Sequence, residues 1–359
     1  MINPKENLNI ISNRFLQLET YFDLAELKNK KILISGGTGF FGLWILSLIN
    51  FLNGRNAQIF VWVISRNPEN FLKKFPHFRK LEWLKFVTAD IENIKFTNQS
   101  LDYVIHAATD TSMNAHAKHL KMLDNIILGT RKILEVAENS KASKVLLVSS
   151  GAIYGTQPYR VPKIKENHRL SCDVLNPVSA YAEGKRVMEL LGSIFADQTG
   201  ISVTVARCFT FMGPGIELNS HFAFGNFIRD ALFSEEIKIE GDGRPVRSYL
   251  HGSDLAIWLL TLVIKGENNN AYNVGSNNEI SIKNLAEKIK TVLAPQCSII
   301  YKKTSPSSIL GLNRYVPCTL KMQDLGCKDW TSLEQGIKDT AMFNSELSAA
   351  HIPKSAPIN

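Results

Sequence analysis

The chain has 359 residues, 45% of them apolar, with 41 Lys and Arg against 33 Asp and Glu for a formal charge of +8. That is ample material for a core, and a moderate charge spread along the chain, without a basic block, argues for anionic small ligands and against nucleic acid. The longest apolar stretch, residues 43–52, is broken by Ser47 and Asn50 and is far short of the roughly 20 residues that cross a bilayer. Residues 1–30 carry Asn, Glu and Lys where a secretory leader would have its apolar core, and the five cysteines (Cys172, Cys208, Cys297, Cys318, Cys327) show no C-x-x-C spacing. A reducing, cytoplasmic setting without a zinc site is expected.

In chain order, residues 1–28 read as an N-terminal extension with an appended helix. Lys31-Ile-Leu-Ile34 is a short β run, followed by Ser35-Gly-Gly-Thr-Gly-Phe-Phe-Gly42 and then an apolar helical run from Leu43 to Ile49. Further strands are expected over 58–66, 84–90, 101–108, 144–150 and 203–207, with helices over 117–139 and 180–198 between them. Short, nearly continuous apolar strands alternating with helices imply an α/β fold with a parallel sheet covered on both faces, a Rossmann-type doubly wound domain over 29–212. From residue 213 the pattern loosens into short elements, including helical stretches at 224–233 and 280–293. This reads as a smaller interleaved C-terminal region over 213–343, mainly for substrate, with some segments returning to the first domain. Residues 344–359 read as a flexible tail.

Gly37, Gly39 and Gly42 satisfy G-x-G-x-x-G, and Gly36, Gly39 and Gly42 satisfy G-x-x-G-x-x-G. Between a strand and a helix either spacing serves a dinucleotide, with a tight turn, close approach to the pyrophosphate and close helix–strand packing. The following helix offers its unpaired N–H groups to the phosphates. Tyr181-Ala-Glu-Gly-Lys185 puts a phenol and an ammonium on one helix face, and a nearby cation favours the phenolate that general acid–base work needs.

On these motifs the chain resembles the extended short-chain dehydrogenase/reductases, in the NAD-dependent epimerase/dehydratase branch that acts mostly on nucleotide-activated sugars. The resemblance covers about residues 29–340. It rests on Gly36 to Gly42, Ala89-Asp-Ile91, His106-Ala-Ala108, Asn125 with Gly129-Thr130, Ser149 to Gly155, Pro177 to Lys185, Arg207 to Pro214, Arg247 to Asp254 and Tyr272 to Ser276. It implies Tyr181 as acid/base, Lys185 as its partner and a ligand of the nicotinamide ribose, and Ser150 as the hydroxyl on the reacting oxygen. It also implies cofactor contacts at Gly36, Gly39, Phe40, Phe41, Gly42, Ser65, Arg66, Asp90, Ile91, Ala107, Ala108 and Asn125. Substrate contacts follow at Ser150, Thr210, Asn226 and Arg247, with Thr210 standing where the family usually has Asn. A homodimer formed by the helices at 117–139 and 180–198 is likewise implied.

Two local features bear on the reaction. At the end of the second strand stand Ser65 and Arg66, with no carboxylate before Glu69. This favours NADP(H) over NAD(H), because an acidic residue there binds the ribose 2′-hydroxyl and an Arg suits a 2′-phosphate. Related dehydratases carry Asp-Glu after the catalytic hydroxyl residue and decarboxylases a Glu at the second position, whereas this chain has Gly151 and Ala152. The expected chemistry is one that Tyr181 completes alone: reduction of a 4-keto(-6-deoxy) sugar, or 4-epimerisation by a retained NAD. A non-catalytic nucleotide-binding protein is the remote alternative. His106 reads as a core histidine and Cys172 and Cys208 as ordinary residues of a reduced protein, with approach of Cys208 to the nicotinamide pocket the lesser alternative; His221 and His251 fall in the substrate-closing region and neither is assigned a contact.

Overall fold

The computed structural model describes residues 4–349 except 95, 97, 98, 110–116, 159, 220, 221 and 303–313. Strands β1 (Lys31–Ser35), β2 (Phe60–Ser65), β3 (Leu84–Thr88), β4 (Tyr103–His106), β5 (Lys144–Ser150), β6 (Ser202–Cys208) and β11 (Asn270–Val274) form one parallel sheet. Their order is β11-β6-β5-β4-β1-β2-β3. The chain runs outward from β1 to β3 and then crosses to β4 on the other side of β1. That reversal opens a crevice beyond the carboxyl ends of β1 and β4, where ligands of such sheets bind.

Helices cover both faces. On one, α4 (His119–Asn139) and α5 (Ala180–Thr199) pack Met122, Ile126, Ile133, Met188 and Phe195 onto Leu33, Val145 and Leu147. On the other lie α2 (Phe40–Asn53) and α7 (Gly252–Lys265). The continuous burial of α2 from Gly42 to Ile49 follows from its place among the sheet, α7 and α1 (Pro4–Leu18). The N-terminal helix is thus built into the core: Ile11 and Phe15 are buried, and Phe15 meets Trp44 edge-on with centroids 5.9 Å apart.

The C-terminal half interleaves with this frame. Helices α6 (Ala223–Phe233), α8 (Ile282–Leu293) and α10 (Leu333–Ala349) share a core of Phe224, Ile228, Leu285, Ile289 and Ile337. Helices α3 (Pro68–Lys74) and α9 (Leu320–Asp324) are short. Strand β9 (Val246–Ser248) pairs antiparallel with β12 (Glu279–Ser281) and parallel with β14 (Arg314–Tyr315). Smaller pairs join β7 (Phe211–Met212) to β10 (Leu250–His251) and β8 (Glu236–Ile239) to β13 (Ser298–Tyr301). The last helix continues through Ala349, past the expected start of a tail at residue 344, because Phe343 and Ala341 are buried and keep that turn packed. Residues 350–359 lie outside the described residues.

Candidate active site

The glycine-rich turn is shaped by close packing on three sides. Gly36 sits at φ +77°, and a Cβ there would lie 2.6 Å from the Ala107 carbonyl carbon and 2.7 Å from the Ala108 nitrogen. The turn after β1 therefore presses on the chain leaving β4, across the crevice itself. A Cβ on Gly37 would meet Val63 at 2.8 Å, and one on Gly42 would meet the Gly37 carbonyl at 2.1 Å, which lets α2 start against the turn. Gly39, which caps α2, is different: a Cβ there meets nothing closer than Gly36 O at 3.6 Å. The open side of the turn faces the helix N-terminus, so these residues fit a dinucleotide pyrophosphate. Phe40 and Phe41 form the first turn of α2, and Phe41 packs edge-on against Phe211 at 4.9 Å.

At the end of β2 the Ser65 hydroxyl lies 3.1 Å from that of Thr38, and Arg66 is exposed. Glu69, the first carboxylate beyond, is engaged by Arg79 through two hydrogen bonds of 2.7 and 3.1 Å. Asp90 and Ile91 follow β3 on a short 3-10 turn, with Ile91 packed on Gly129 of α4. The Asn125 amide reaches Glu92 at 3.0 Å and Lys121 O at 3.3 Å once its O and N are assigned to satisfy both partners.

Ser150 ends β5, and Tyr181 and Lys185 stand on the first two turns of α5. The Tyr181 phenol is held above its ordinary value by burial, offset by a hydrogen bond from Ser150, while Cys208 adds a small upward push. Lys185 is 3% exposed and donates to Val148 O at 2.7 Å; burial pushes its ammonium down to about 8. The Lys185 ammonium is turned toward the β5 backbone, and Ser150 favours the phenolate.

Sequence reasoning missed Tyr315, whose phenol β14 brings against Gly151, the residue after Ser150. Its oxygen would lie 2.7 Å from a Cβ on Gly151, as would Phe209 Cζ. No side chain fits at 151 without displacing one of these rings. In sequence Tyr315 carries no spacing or pattern that points to Gly151, and only the β14–β9 pairing delivers it.

Of the expected substrate residues, Arg247 stands beside Tyr315 in the β9–β14 register. Its guanidinium donates to Val246 O at 2.9 Å, and burial lowers it from its ordinary value. The Thr210 hydroxyl donates to the Ser248 carbonyl, which engages its proton with β9 and leaves its oxygen able to accept. Asn226 lies on the first turn of α6 and accepts from Arg229 at 3.4 Å.

His106 and His251 are structural. The Thr130 hydroxyl donates to Ile126 O at 2.6 Å, so it accepts from His106 Nε2, and His106 Nδ1 accepts from Ser35 Oγ at 2.7 Å. His251 is fully buried, edge-on to Trp44, and accepts from the Ser253 N–H as the cap of α7. It does not line a ligand surface. His221 lies outside the described residues. Cys208 pairs in register with Ser150, and burial holds its thiol well above the ordinary value.

A parallel sheet in this order, a glycine turn at its switch point, Ser150 at the end of β5 and Tyr181 and Lys185 on α5 define a short-chain dehydrogenase/reductase fold. The model of the NAD dependent epimerase/dehydratase family matches residues 32–275, and the chain belongs to that family. It is 27% identical over 313 residues to UDP-glucuronic acid decarboxylase 5 of Arabidopsis thaliana, covering 86% of this chain and 87% of the relative. Among solved structures it resembles the UDP-N-acetylglucosamine 4-epimerase of Methanobrevibacter ruminantium, with a TM-score of 0.77 and 24% identity over 89% of this chain and 99% of the other. It also resembles the UDP-glucuronic acid 4-epimerase of Bacillus cereus in complex with UDP-glucuronic acid and NAD, with a TM-score of 0.74 and 20% identity over 88% and 99% of the two chains.

Proposed function

We propose that the protein is an NAD(P)-dependent nucleotide-sugar oxidoreductase that exchanges a hydride with sugar C4, with Tyr181 as acid/base, and that it reduces a 4-keto(-6-deoxy) sugar with NADPH. The observation that carries the choice of NADP(H) is the end of β2. Arg66 is exposed there, and the carboxylate nearest in sequence, Glu69, is held by Arg79. Gly36, Gly39, Gly42, Phe40 and Phe41 would hold the pyrophosphate end, Ser65 and Arg66 the adenosine ribose, and Asp90, Ile91 and Asn125 the adenine side. Ala107, Ala108, Tyr181 and Lys185 would border the nicotinamide, which when bound supplies the hydride.

In that role Tyr181 delivers a proton to the sugar oxygen during reduction and takes one during oxidation. Ser150 holds the oxygen in reach, and Arg247 offers its fork to the diphosphate. The relatives act on UDP-glucuronic acid or are 4-epimerases, and a uridine diphosphate sugar is the first candidate substrate. Decarboxylation and dehydration are not favoured: Gly151 and Ala152 leave no second carboxylate, and the space at 151 is filled by Phe209 and Tyr315.

The second reading is 4-epimerisation by a retained NAD, supported by the NAD complex of the Bacillus cereus neighbour. Identifying the nicotinamide released from denatured protein, and titrating NADPH against NADH, separates the two. Tighter NADPH binding that is lost in Arg66→Ala supports the reductase. Stoichiometric NAD, with interconversion of two UDP-sugars without added cofactor, supports the epimerase. A cytoplasmic homodimer is part of the proposal: Leu120 and Leu128 on α4 and Leu190 and Ile194 on α5 are exposed apolar residues on the two helices expected to pair between copies. Analytical ultracentrifugation reads this directly.

A further inference from the structure

We propose that Glu189 is a positioning residue for the nicotinamide end of the cofactor site: with Ser149 and Arg207 it fixes α5 against the ends of β5 and β6, and so holds Lys185 where it meets the nicotinamide ribose. The inference rests on the reading of Lys185 as a ligand of that ribose. Tyr181, Lys185 and Glu189 are spaced by four and share one face of α5. Two of them bind adjacent residues of β5. The Lys185 ammonium donates to Val148 O at 2.7 Å, and the Ser149 hydroxyl donates to Glu189 Oε1 at 2.6 Å. Two ties one helical turn apart oppose both sliding of α5 along the strand and rotation about its own axis.

The carboxylate is held in turn from β6. Arg207 pairs in register with Ser149 and donates to Glu189 through Nε at 3.1 and 3.2 Å and through Nη2 at 2.7 Å. Its Nη1 donates to the Tyr154 hydroxyl at 2.7 Å and to Glu166 O at 2.9 Å, and Tyr154 donates to Asn273 Oδ1 of β11 at 3.0 Å. The guanidinium is therefore committed to the frame on one side and to Glu189 on the other. Water has little access: Ser149 is 3% exposed, and the Glu189 and Arg207 side chains 15% each. A pair this withdrawn from water is a poor source of net stability, because desolvation offsets attraction, and what this one supplies is a fixed geometry. Glu189 also acts on Lys185 through charge. Burial pushes the ammonium down, and the carboxylate one turn along the helix opposes that.

The test is calorimetric binding, to the full-length protein, of the whole cofactor and of its adenosine part: NADPH against 2′,5′-ADP, and NADH against ADP. It needs no sugar substrate. The ratio of whole to fragment affinity reads the nicotinamide end, and Lys185→Met should lower it. Ser149→Ala, which removes one tie and leaves Glu189 its arginine, should lower the ratio about fivefold, with fragment affinity within about twofold. Glu189→Leu combined with Arg207→Met, which leaves no orphaned charge, should lower it at least as far. In the Lys185→Met background Ser149→Ala should lower it no further, which loosened packing would not produce. A ratio unmoved in Ser149→Ala while Lys185→Met lowers it, or whole and fragment weakened alike, would overturn the positioning role alone. A ratio unmoved in Lys185→Met would overturn the reading of Lys185 and this inference with it.

Discussion

Gly151 and Tyr315 compete for one volume: a Cβ on the glycine would lie 2.7 Å from the phenol oxygen, and Phe209 Cζ is equally close on the same side. Gly151→Ala should therefore cost about 1–3 kcal/mol, the usual range for overpacking. Tyr315→Phe removes one of the three obstructing atoms, so the double variant should recover part of the loss. Urea unfolding of the four proteins in the cycle measures both effects, and strict additivity would contradict the shared volume.

The glycines of the turn should separate by role. A Cβ at Gly42 would lie 2.1 Å from backbone, which cannot yield as a side-chain end can, so Gly42→Ala should cost about 3 kcal/mol or leave little folded protein. Gly39→Ala meets only an ordinary contact at 3.6 Å and should change stability by under about 1 kcal/mol. Its effect should fall on cofactor binding, weakened about tenfold, because the added methyl stands where backbone must approach a phosphate. Thermal melts with and without NADP⁺ distinguish the two outcomes.

The N-terminal helix should prove indispensable. Arg14 donates to Asp339 through bonds of 2.6 and 3.1 Å, and the aspartate side chain is 4% exposed. Arg14→Met leaves that carboxylate without its cation and should destabilise by about 3 kcal/mol in chemical unfolding. Arg14→Met with Asp339→Leu should be closer to the wild type, since removing both charges avoids the orphan.

Acid should destabilise the fold through histidine. Burial pushes His106 and His251 from their ordinary 6.5 down to about 3, so between these values the unfolded rings bind protons that the folded rings do not. Their contribution is complete above about pH 6.5 and is lost as pH falls toward 3. Asp254 opposes them: burial pushes its carboxyl up to about 7, so the folded state keeps a proton that the unfolded carboxylate has released. His77, pushed down to about 4 by burial, adds a third group of the same sign, and three against one leave a net slope of about 2.5 kcal/mol per pH unit near pH 5, with stability rising with pH. Unfolding free energies at pH 5 and 6 read the slope directly, and a flat profile would contradict it.

What the sequence made legible was local. The β1 to α2 turn showed itself because strand, glycines and helix are contiguous, and Tyr181 and Lys185 because a spacing of four is a statement about one helix face. The doubly wound order followed from short apolar strands alternating with helices. Tyr315 was not legible, since its place depends on β14 pairing with β9 and on Gln157 holding the next N–H. Nor was the engagement of the Thr210 hydroxyl with Ser248 O, or of Glu69 with Arg79, because each is a choice of partner made in three dimensions. The extension also misled by position: Ile11 and Phe15 look like one face of an appended helix, yet they lie in the core against Trp44.

The central claim is that Tyr181 moves the proton that accompanies hydride transfer. It is tested most directly by following absorbance of the reduced nicotinamide with uridine diphosphate sugars, in wild type and Tyr181→Phe, alongside cofactor affinity. The account predicts a loss of at least about a hundredfold in turnover, with affinity for the cofactor within about twofold. Unchanged turnover in Tyr181→Phe would contradict it.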